Sequence, residues 1–291
     1  MAKTAIVTDS NSGITQKEGK ELGIFVVPMP FIINGEPHFE DIDLTQEEFY
    51  ASLQGGADVS TSQPSIGDLQ EFWTEILKTY DEIVHIPMSS GLSQSCATAT
   101  AIAKDFGDKV QVVDNQRISV TMKESVYDAL KLVKEGKSAK KIKEYLEKTK
   151  LDATIYISLD TMKYLKKGGR VTPAAAAIGT ILKLRPVLQI QGERLDKYSI
   201  TCRTLLRAKD TMKKALQNDL ETRLAPYVEK GEVVISVAHT ANHAEAESFA
   251  EELKELFPNI PFRFCDPLSL SVACHIGPGA LACTATRVYK K

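Results

Sequence analysis

The first half of the chain alternates short apolar runs with amphipathic segments, and this alternation constrains the fold more than any other feature of the sequence. The periodicity predicts strands at residues 4–8, 25–33, 82–88 and 110–113, and helices at 15–22, 45–53, 65–80, 93–106, 117–135 and 139–148. Strands that alternate with helices are typical of a mainly parallel sheet with helices on both faces. We therefore predict an α/β fold for an N-terminal domain over residues 1–150.

Two local signals support this interpretation. Asn34-Gly35 between apolar runs predicts a hairpin turn. Thr45, followed three residues later by Glu48, has the form of a capping box and predicts that a helix begins there.

The second half has a different order of elements. Strands are predicted at 154–157, 186–190, 194–200, 233–238, 262–266, 268–274 and 280–288, and helices at 159–167, 173–182, 204–219 and 244–256. The runs at 186–190 and 194–200 flank a turn at Gly192, which indicates antiparallel neighbours. We predict a C-terminal α+β domain with a mixed or antiparallel sheet for residues 151–291.

Composition excludes several classes of function. A net charge of −2 and a pI near 6.3 give no field that would attract nucleic acid or an anionic membrane. The five cysteines include no Cys-x-x-Cys pair, which argues against a disulfide framework and a zinc knuckle. With no signal-peptide pattern and no long apolar stretch in the sequence, we expect a cytoplasmic protein.

Three hydroxyl-rich segments are expected at the carboxyl ends of strands or the starts of helices. They are Thr8-Asp9-Ser10, the 61–65 loop (Thr-Ser-Gln-Pro-Ser) and the 89–95 loop (Ser-Ser-Gly-Leu-Ser-Gln-Ser). Free N–H groups and the positive end of a helix dipole suit an anion such as a carboxylate or phosphate. Each segment alone fits an ordinary helix cap. Gly91 followed by Ser93 and Ser95 is more than a cap requires.

The second half contributes fewer candidate residues. His275 precedes a Gly-Pro-Gly turn, and Arg170 follows two glycines. His239 and His243 have the spacing of a metal pair, but they cross a strand end and lack the glutamate of a zinc-protease motif, so we expect no metal. The sequence contains no nucleophile elbow, Walker A loop or dinucleotide-binding fingerprint. This pattern favours binding of an anionic head group over catalysis.

Six motifs in order carry a family resemblance across residues 4 to about 288. They are Thr8-Asp9-Ser10, Thr61-Ser62-Gln63-Pro64-Ser65, Ser89-Ser90-Gly91-Leu92-Ser93, Gly168-Gly169-Arg170, Arg185-Pro186-Val187-Leu188 and His275-Ile276-Gly277-Pro278-Gly279. Together they resemble the DegV family, the bacterial fatty acid-binding subunits of fatty acid kinase. The resemblance implies two α/β domains with one long-chain fatty acid in an apolar tunnel between them.

The resemblance also implies roles for particular residues. The fatty acid carboxylate would be bound by Thr61, Ser62, Ser93, the backbone N–H of Gln94, and His275. Arg170, and more weakly Arg203, would contact a partner or the head group.

A protein of this family is not itself an enzyme and needs no cofactor. By the resemblance it presents the bound acid to a separate ATP-dependent fatty acid kinase, which makes an acyl-phosphate for phospholipid synthesis. The resemblance also implies two further partners, which are acyltransferases and the membrane, the latter in transient contact.

The chain departs from the family pattern at the end of the 89–95 loop. The family reads Ser-Ser-x-Leu-Ser-Gly-Thr-Tyr, whereas this chain has Gln94, Ser95 and Cys96 at the last three positions. Glutamine in place of glycine adds bulk beside the head group and disfavours a positive φ.

Two other functions stay open on the sequence alone. One is a phosphosugar-binding or isomerase-like domain whose Ser/Thr loops bind phosphate. The other is a hydrolase in which Ser93 acts with His275, which needs a serine–histidine hydrogen bond and an oxyanion hole.

Overall fold

The computed structural model describes residues 2–168, 173, 184–192 and 195–290. The chain divides into two compact units, Met1–Leu151 and Asp152–Lys291.

The first unit contains seven strands and six α-helices within its described residues. The strands are β1 (Thr4–Asp9), β2 (Phe25–Val27), β3 (Pro30–Ile33), β4 (Glu36–Phe39), β5 (Val59–Thr61), β6 (Glu82–Ile86) and β7 (Val110–Val112). The helices are α1 (Gln16–Leu22), α2 (Gln46–Gln54), α3 (Ile66–Ile76), α4 (Ser95–Ala103), α5 (Ser119–Lys134) and α6 (Ala139–Lys148).

Two sheets form in this unit. The larger sheet has the order β2-β1-β6-β7 and every pair in it is parallel, which confirms the parallel sheet predicted from the sequence. The smaller sheet, β4-β3-β5, is antiparallel, and the predicted Asn34-Gly35 hairpin joins β3 to β4. The predicted capping box at Thr45 and Glu48 is also present.

Helices cover both faces of the parallel sheet. On one face, Trp73 of α3 and Ala99 of α4 pack against Val7 and Ile83. Because side chains alternate along a strand, Ile6 and Val84 point to the opposite face, where α5 and α6 pack. Complete burial of Trp73 contributes about 1.5–3 kcal/mol or more to folding.

The second unit is built around one large sheet. Its strands are β8 (Ala153–Ser158), β9 (Val187–Ile190), β10 (Leu195–Ser199), β11 (Val233–His239), β12 (Phe262–Pro267) and β13 (Leu281–Arg287). The helices described are α7 (Lys163–Gly168), α8 (Leu205–Glu221), α9 (Ala225–Val228), α10 (His243–Leu256) and α11 (Leu270–Ile276).

This sheet is mixed, as the sequence predicts. Its order is β10-β9-β8-β13-β11-β12, with β11 and β12 parallel and the other pairs antiparallel. The last strand in the chain, β13, therefore lies between β8 and β11. Met212 of α8 and Phe249 of α10 share a buried cluster with sheet residues such as Ile235.

One predicted strand is wrong. Residues 268–274 were expected to be extended, but Leu270–Ile276 forms α11. Leu270, Ala273 and Cys274 are buried, and their spacing of three and four places them on one helix face. The helix predicted at 173–182 lies outside the described residues, except for Pro173.

Candidate ligand-binding site

The three hydroxyl-rich segments of the first unit lie where the sequence predicts. β1 ends at Asp9, the 89–95 loop follows β6, and the 61–65 loop connects β5 to α3. Because β1 and β6 are parallel neighbours, their carboxyl ends meet at one edge of the sheet, where ligands bind in folds of this kind.

Asp9 connects the end of β1 to Met88, the residue that precedes the 89–95 loop. It is 2% exposed, and its carboxylate accepts hydrogen bonds from the backbone N–H of Met88 and of Asn11, each at 2.9 Å. Burial raises the pKa of Asp9 to about 6, and the hydrogen bonds from Met88 and Asn11 oppose this rise only in part. Asp9 thus changes charge close to neutral pH.

The segment that follows β7 holds the 89–95 loop in position through a hydrogen bond. The N–H of Ser89, which is fully buried, donates to the carbonyl of Arg117 at 3.0 Å. The guanidinium of Arg117 in turn donates to Ser125 Oγ at 3.1 Å and to the carbonyl of Thr149 at 2.8 Å. Because Arg117 is itself buried, these contacts fix the position of the loop.

Ser93 and Ser95 form a pair of linked hydroxyls at the start of α4. Ser93 Oγ donates to Ser95 Oγ at 2.9 Å and accepts from the N–H of Ser95 at 3.1 Å. Gln94 is exposed and makes no side-chain cap on α4. Its φ is −73°, so glutamine occupies the family's glycine position without backbone strain.

Cys96, at the family's tyrosine position, belongs to the apolar core beside this loop. It is 2% exposed, and burial raises the pKa of its thiol to about 12. The side chain therefore remains a neutral thiol and acts as a small apolar group.

The 61–65 loop begins in the smaller sheet. Thr61 is the last residue of β5, half-buried and paired with Phe31 of β3, while Ser62 is exposed and its N–H donates to the carbonyl of Pro30 at 3.2 Å. Gln63 Oε1 accepts from Thr98 Oγ1 at 3.2 Å, which joins this loop to α4.

A small cavity lies among the three segments. Its volume is about 10 Å³, and its lining includes Asp9 from the first segment, Gln63 from the second and Ser95 from the third. His85 and Thr98 complete the polar part of the wall, and the rest is apolar: Val27, Met29, Pro64, Leu69 and Pro87. The structure thus brings the three predicted segments around one small space.

His85 is a residue that sequence reasoning missed. It lies within β6 on the face that carries Trp73, and the two rings meet edge to face at 5.4 Å between centroids. Burial lowers the pKa of His85 to about 3, so the imidazole is neutral. The sequence contained two signals for this part of the cavity wall. One is a histidine, His85, inside the strand-forming run Glu82–Ile86, and the other is Thr98, which lies one turn of α4 beyond Gln94.

The candidates of the second half lie in the second unit. His275 is half-buried in the last turn of α11, two residues before Gly277, and Arg203 is exposed just before α8. Gly277 follows α11 with φ +71°, and a Cβ there would lie 2.2 Å from Cδ2 of Tyr164. Only glycine fits this contact. Arg170 lies outside the described residues.

No metal site is found among the residues that the structure describes. The rings of His239 and His243 are 5.5 Å apart, but no group of three or more His, Cys, Asp or Glu side chains is placed to bind an ion there. Over the same residues, none of the helices has both the length and the apolar character to cross a bilayer.

Comparison with protein families gives a match along nearly the whole chain. The model of the family described as "Uncharacterised protein, DegV family" matches residues 3–287. "DegV domain-containing protein SA1258" from Staphylococcus aureus strain N315 is 28% identical over 288 residues, covering 97% of this chain and 98% of that protein. "Protein DegV" from Bacillus subtilis strain 168 is 29% identical over 282 residues, covering 95% and 96%.

Solved structures show the same fold. "DegV, a fatty acid binding protein from Bacillus subtilis" superposes with a TM-score of 0.85 at 27% identity, covering 99% of this chain and 100% of that one. A "DegV family Protein from Thermus thermophilus", described for its "Fatty Acid Binding", gives a TM-score of 0.87 at 27% identity, covering 98% and 100%.

Proposed function

Since the chain belongs to the DegV family, we propose that it binds one long-chain fatty acid and presents the carboxylate to a separate ATP-dependent kinase. The observation that carries this proposal is the convergence of three hydroxyl-rich segments on one space at the carboxyl edge of the parallel sheet. Two structures of this fold at 27% identity are described as binding fatty acids, which supports the same ligand class here.

In the proposal, the carboxylate binds at the start of α4. The hydroxyls of Thr61, Ser62 and Ser93 and the N–H of Gln94 donate to its oxygens, with the Ser93 proton turned from Ser95 to the ligand, and the helix dipole favours the negative charge. His275 completes the polar surroundings. Each buried CH₂ contributes roughly 0.8 kcal/mol, so a long chain gains on the order of 10 kcal/mol before the entropy cost of binding.

The chain itself performs no reaction in this proposal. A partner kinase transfers the γ-phosphoryl group of ATP to the carboxylate, which releases ADP and gives the acyl-phosphate that acyltransferases then consume. The acid arrives through a transient membrane contact. Arg170 and the exposed Arg203 contact the kinase or the head group. The tunnel between the two domains stays a prediction from the family resemblance.

The local chemistry disfavours the two alternatives. A phosphate dianion bound by these segments would carry twice the charge of a fatty acid carboxylate, so the ionised Asp9 disfavours phosphate more strongly above a pH of about 6. A serine nucleophile needs a base to take its proton, whereas the Ser93 hydroxyl donates to another hydroxyl, that of Ser95.

The first test is organic extraction of freshly purified protein followed by mass spectrometry. We expect one equivalent of a long-chain fatty acid per chain. An extract without lipid, from protein whose intact mass shows a bound phosphate ester, would contradict the proposal and favour the phosphosugar alternative.

A variant then tests the site. Ser93→Ala removes a hydroxyl next to the proposed carboxylate, and we expect affinity for a fatty acid to fall about 10- to 100-fold, because hydrogen bonds to charged groups contribute about 1.5–3 kcal/mol. Ser60→Ala is the matched control, since Ser60 is an exposed neighbour of Thr61 in β5. Equal loss in both variants would argue against the assignment of Ser93.

The kinase step needs its own assay. With ATP and a fatty acid kinase added, acyl-phosphate trapped as a hydroxamate should form only when both proteins are present. Formation by this chain alone would overturn its non-catalytic role.

A further inference from the structure

The polar wall of the cavity contains a histidine whose hydrogen-bonding groups are unused. His85 is 3% exposed, and neither ring nitrogen has a hydrogen-bond partner among the described residues. A neutral imidazole carries one N–H donor and one acceptor nitrogen. Buried groups of this kind are almost always paired, so an unpaired imidazole at the wall of a cavity indicates that something binds there.

The size of the cavity limits what that group can be. A volume of about 10 Å³ holds an object of the size of one water molecule or one hydroxyl. An alkyl segment would leave both nitrogens of His85 unpaired, and an anion would face Asp9 across the same cavity. A hydroxyl can either donate or accept, so it can pair with whichever nitrogen of the neutral imidazole faces the cavity.

The position of the cavity fixes where the hydroxyl lies on the ligand. Ser95 lines the cavity, and its Oγ is 2.9 Å from the Oγ of Ser93, the proposed carboxylate contact. A ligand group that reaches His85 past Ser95 must therefore be attached close to the carboxyl carbon.

We propose that this cavity binds the hydroxyl of a fatty acid hydroxylated on carbon 2 or 3, with His85 as its hydrogen-bonding partner. The inference rests on the proposed fatty acid binding and narrows its substrate class. Thr98 lines the same wall, and its hydroxyl, whose proton goes to Gln63, can accept a further hydrogen bond. A single water fills the site when an unhydroxylated acid is bound.

The test compares dissociation constants of delipidated protein for hexadecanoic acid and its 2-hydroxy, 3-hydroxy and 12-hydroxy derivatives. We expect the wild type to bind the 2- or 3-hydroxy acid about tenfold more tightly than hexadecanoic acid, because the hydroxyl replaces the hydrogen bonds of the ordered water and releases it. The 12-hydroxy acid should show no such gain, because its hydroxyl lies far from the carboxyl group.

Two variants assign the effect to His85. His85→Phe keeps a ring beside Trp73 and should reduce the affinity ratio of hydroxylated to plain acid to about one, while His85→Gln, which can donate and accept, should restore part of it. His243→Phe makes the same change at an exposed histidine of the second unit and should keep the wild-type ratio.

The outcomes separate the two proposals. Binding of hexadecanoic acid with no preference for either hydroxy acid, or a preference that survives His85→Phe, overturns this inference alone. Failure of the wild type to bind any of the four acids overturns the proposed function, and this inference with it.

Discussion

The buried His85 makes the first unit sensitive to acid, and the variant His85→Phe should remove that sensitivity. The pKa of His85 falls from 6.5 to about 3 on folding because burial disfavours the imidazolium. The unfolded chain therefore binds the proton more tightly than the folded chain. The contribution of the neutral His85 to the free energy of unfolding is complete above pH 6.5 and is lost as the pH falls from 6.5 towards 3.

The magnitude follows from this change in pKa. A difference of one in pKa corresponds to about 1.4 kcal/mol, so the whole effect approaches 5 kcal/mol at very low pH. Between pH 7 and pH 5, proton linkage gives a loss of about 2 kcal/mol from His85.

Asp9 works in the opposite direction over the same range. Its pKa rises from 3.8 to about 6 on folding, so the folded chain binds this proton more tightly. The destabilisation that the buried carboxylate causes at pH 7 is relieved as the pH falls, by about 1 kcal/mol at pH 5. The two groups therefore oppose each other, and in the wild type they largely offset.

In the variant His85→Phe, the pH dependence of the free energy of unfolding should show the contribution of Asp9 without that of His85. Relative to wild type, His85→Phe should gain about 2 kcal/mol in the free energy of unfolding when the pH is lowered from 7 to 5. Urea denaturation followed by tryptophan fluorescence measures this change in the first unit, because Trp73 is the one tryptophan of the chain and is fully buried.

Two further variants complete the design. Asp9→Asn should lose about 1 kcal/mol relative to wild type over the same pH interval, and His243→Phe, at an exposed position, should follow the wild type. If His85→Phe and wild type change in parallel between pH 7 and pH 5, the imidazole is not held neutral in the folded protein and the reasoning fails.

Two more substitutions test contacts of single residues. Gly277→Ala should destabilise the second unit by about 2 kcal/mol or more, because its Cβ meets the Tyr164 ring at a φ of +71°. Thermal unfolding would show this, with Gly23→Ala, in the left-handed region at φ +72° and in open space, as a control costing about 1 kcal/mol. Arg117→Met should lower the unfolding free energy of the first unit by about 2–4 kcal/mol and also weaken fatty acid binding, because it removes the donors to Ser125 and Thr149 that fix the 89–95 loop. Denaturation followed by Trp73 measures the stability change; an effect no larger than that of Arg203→Met, at an exposed position, would show that the buried guanidinium does not support the loop.

Local signals in the sequence were sufficient for most of the fold. The helix predicted at 139–148 has the same bounds in the structure, Ala139–Lys148, and the capping box at Thr45 begins a helix as predicted. Both depend on contacts between residues three or four apart, which a sequence displays directly. The run at 268–274 is short and apolar, and such runs suit a buried helix as well as a strand.

The arrangement of the candidate site can be seen in the sequence only in part, for a similar reason. Hydroxyl-rich segments at helix starts are visible in the sequence because capping chemistry is local. The role of His85 depends on residues far along the chain, since Asp9 reaches the cavity from β1 and Ser95 from α4. The support that Arg117 gives to Ser89 is equally non-local and has no sequence signature.

The place of β13 in the second sheet has a consequence for how the protein is made on the ribosome. Thr154 of β8, at the start of the second unit, pairs with Ala285 of β13, and β11 pairs with the other edge of the same strand. Neither β8 nor β11 can complete its ladder until residues 281–287 have left the exit tunnel. The first unit can fold during synthesis, at about 5–20 residues per second, whereas in the second unit one edge of β8 and one edge of β11 stay unpaired until β13 is available. Nascent chains that stop before residue 281 should therefore carry a folded first unit and a second unit that depends on chaperones.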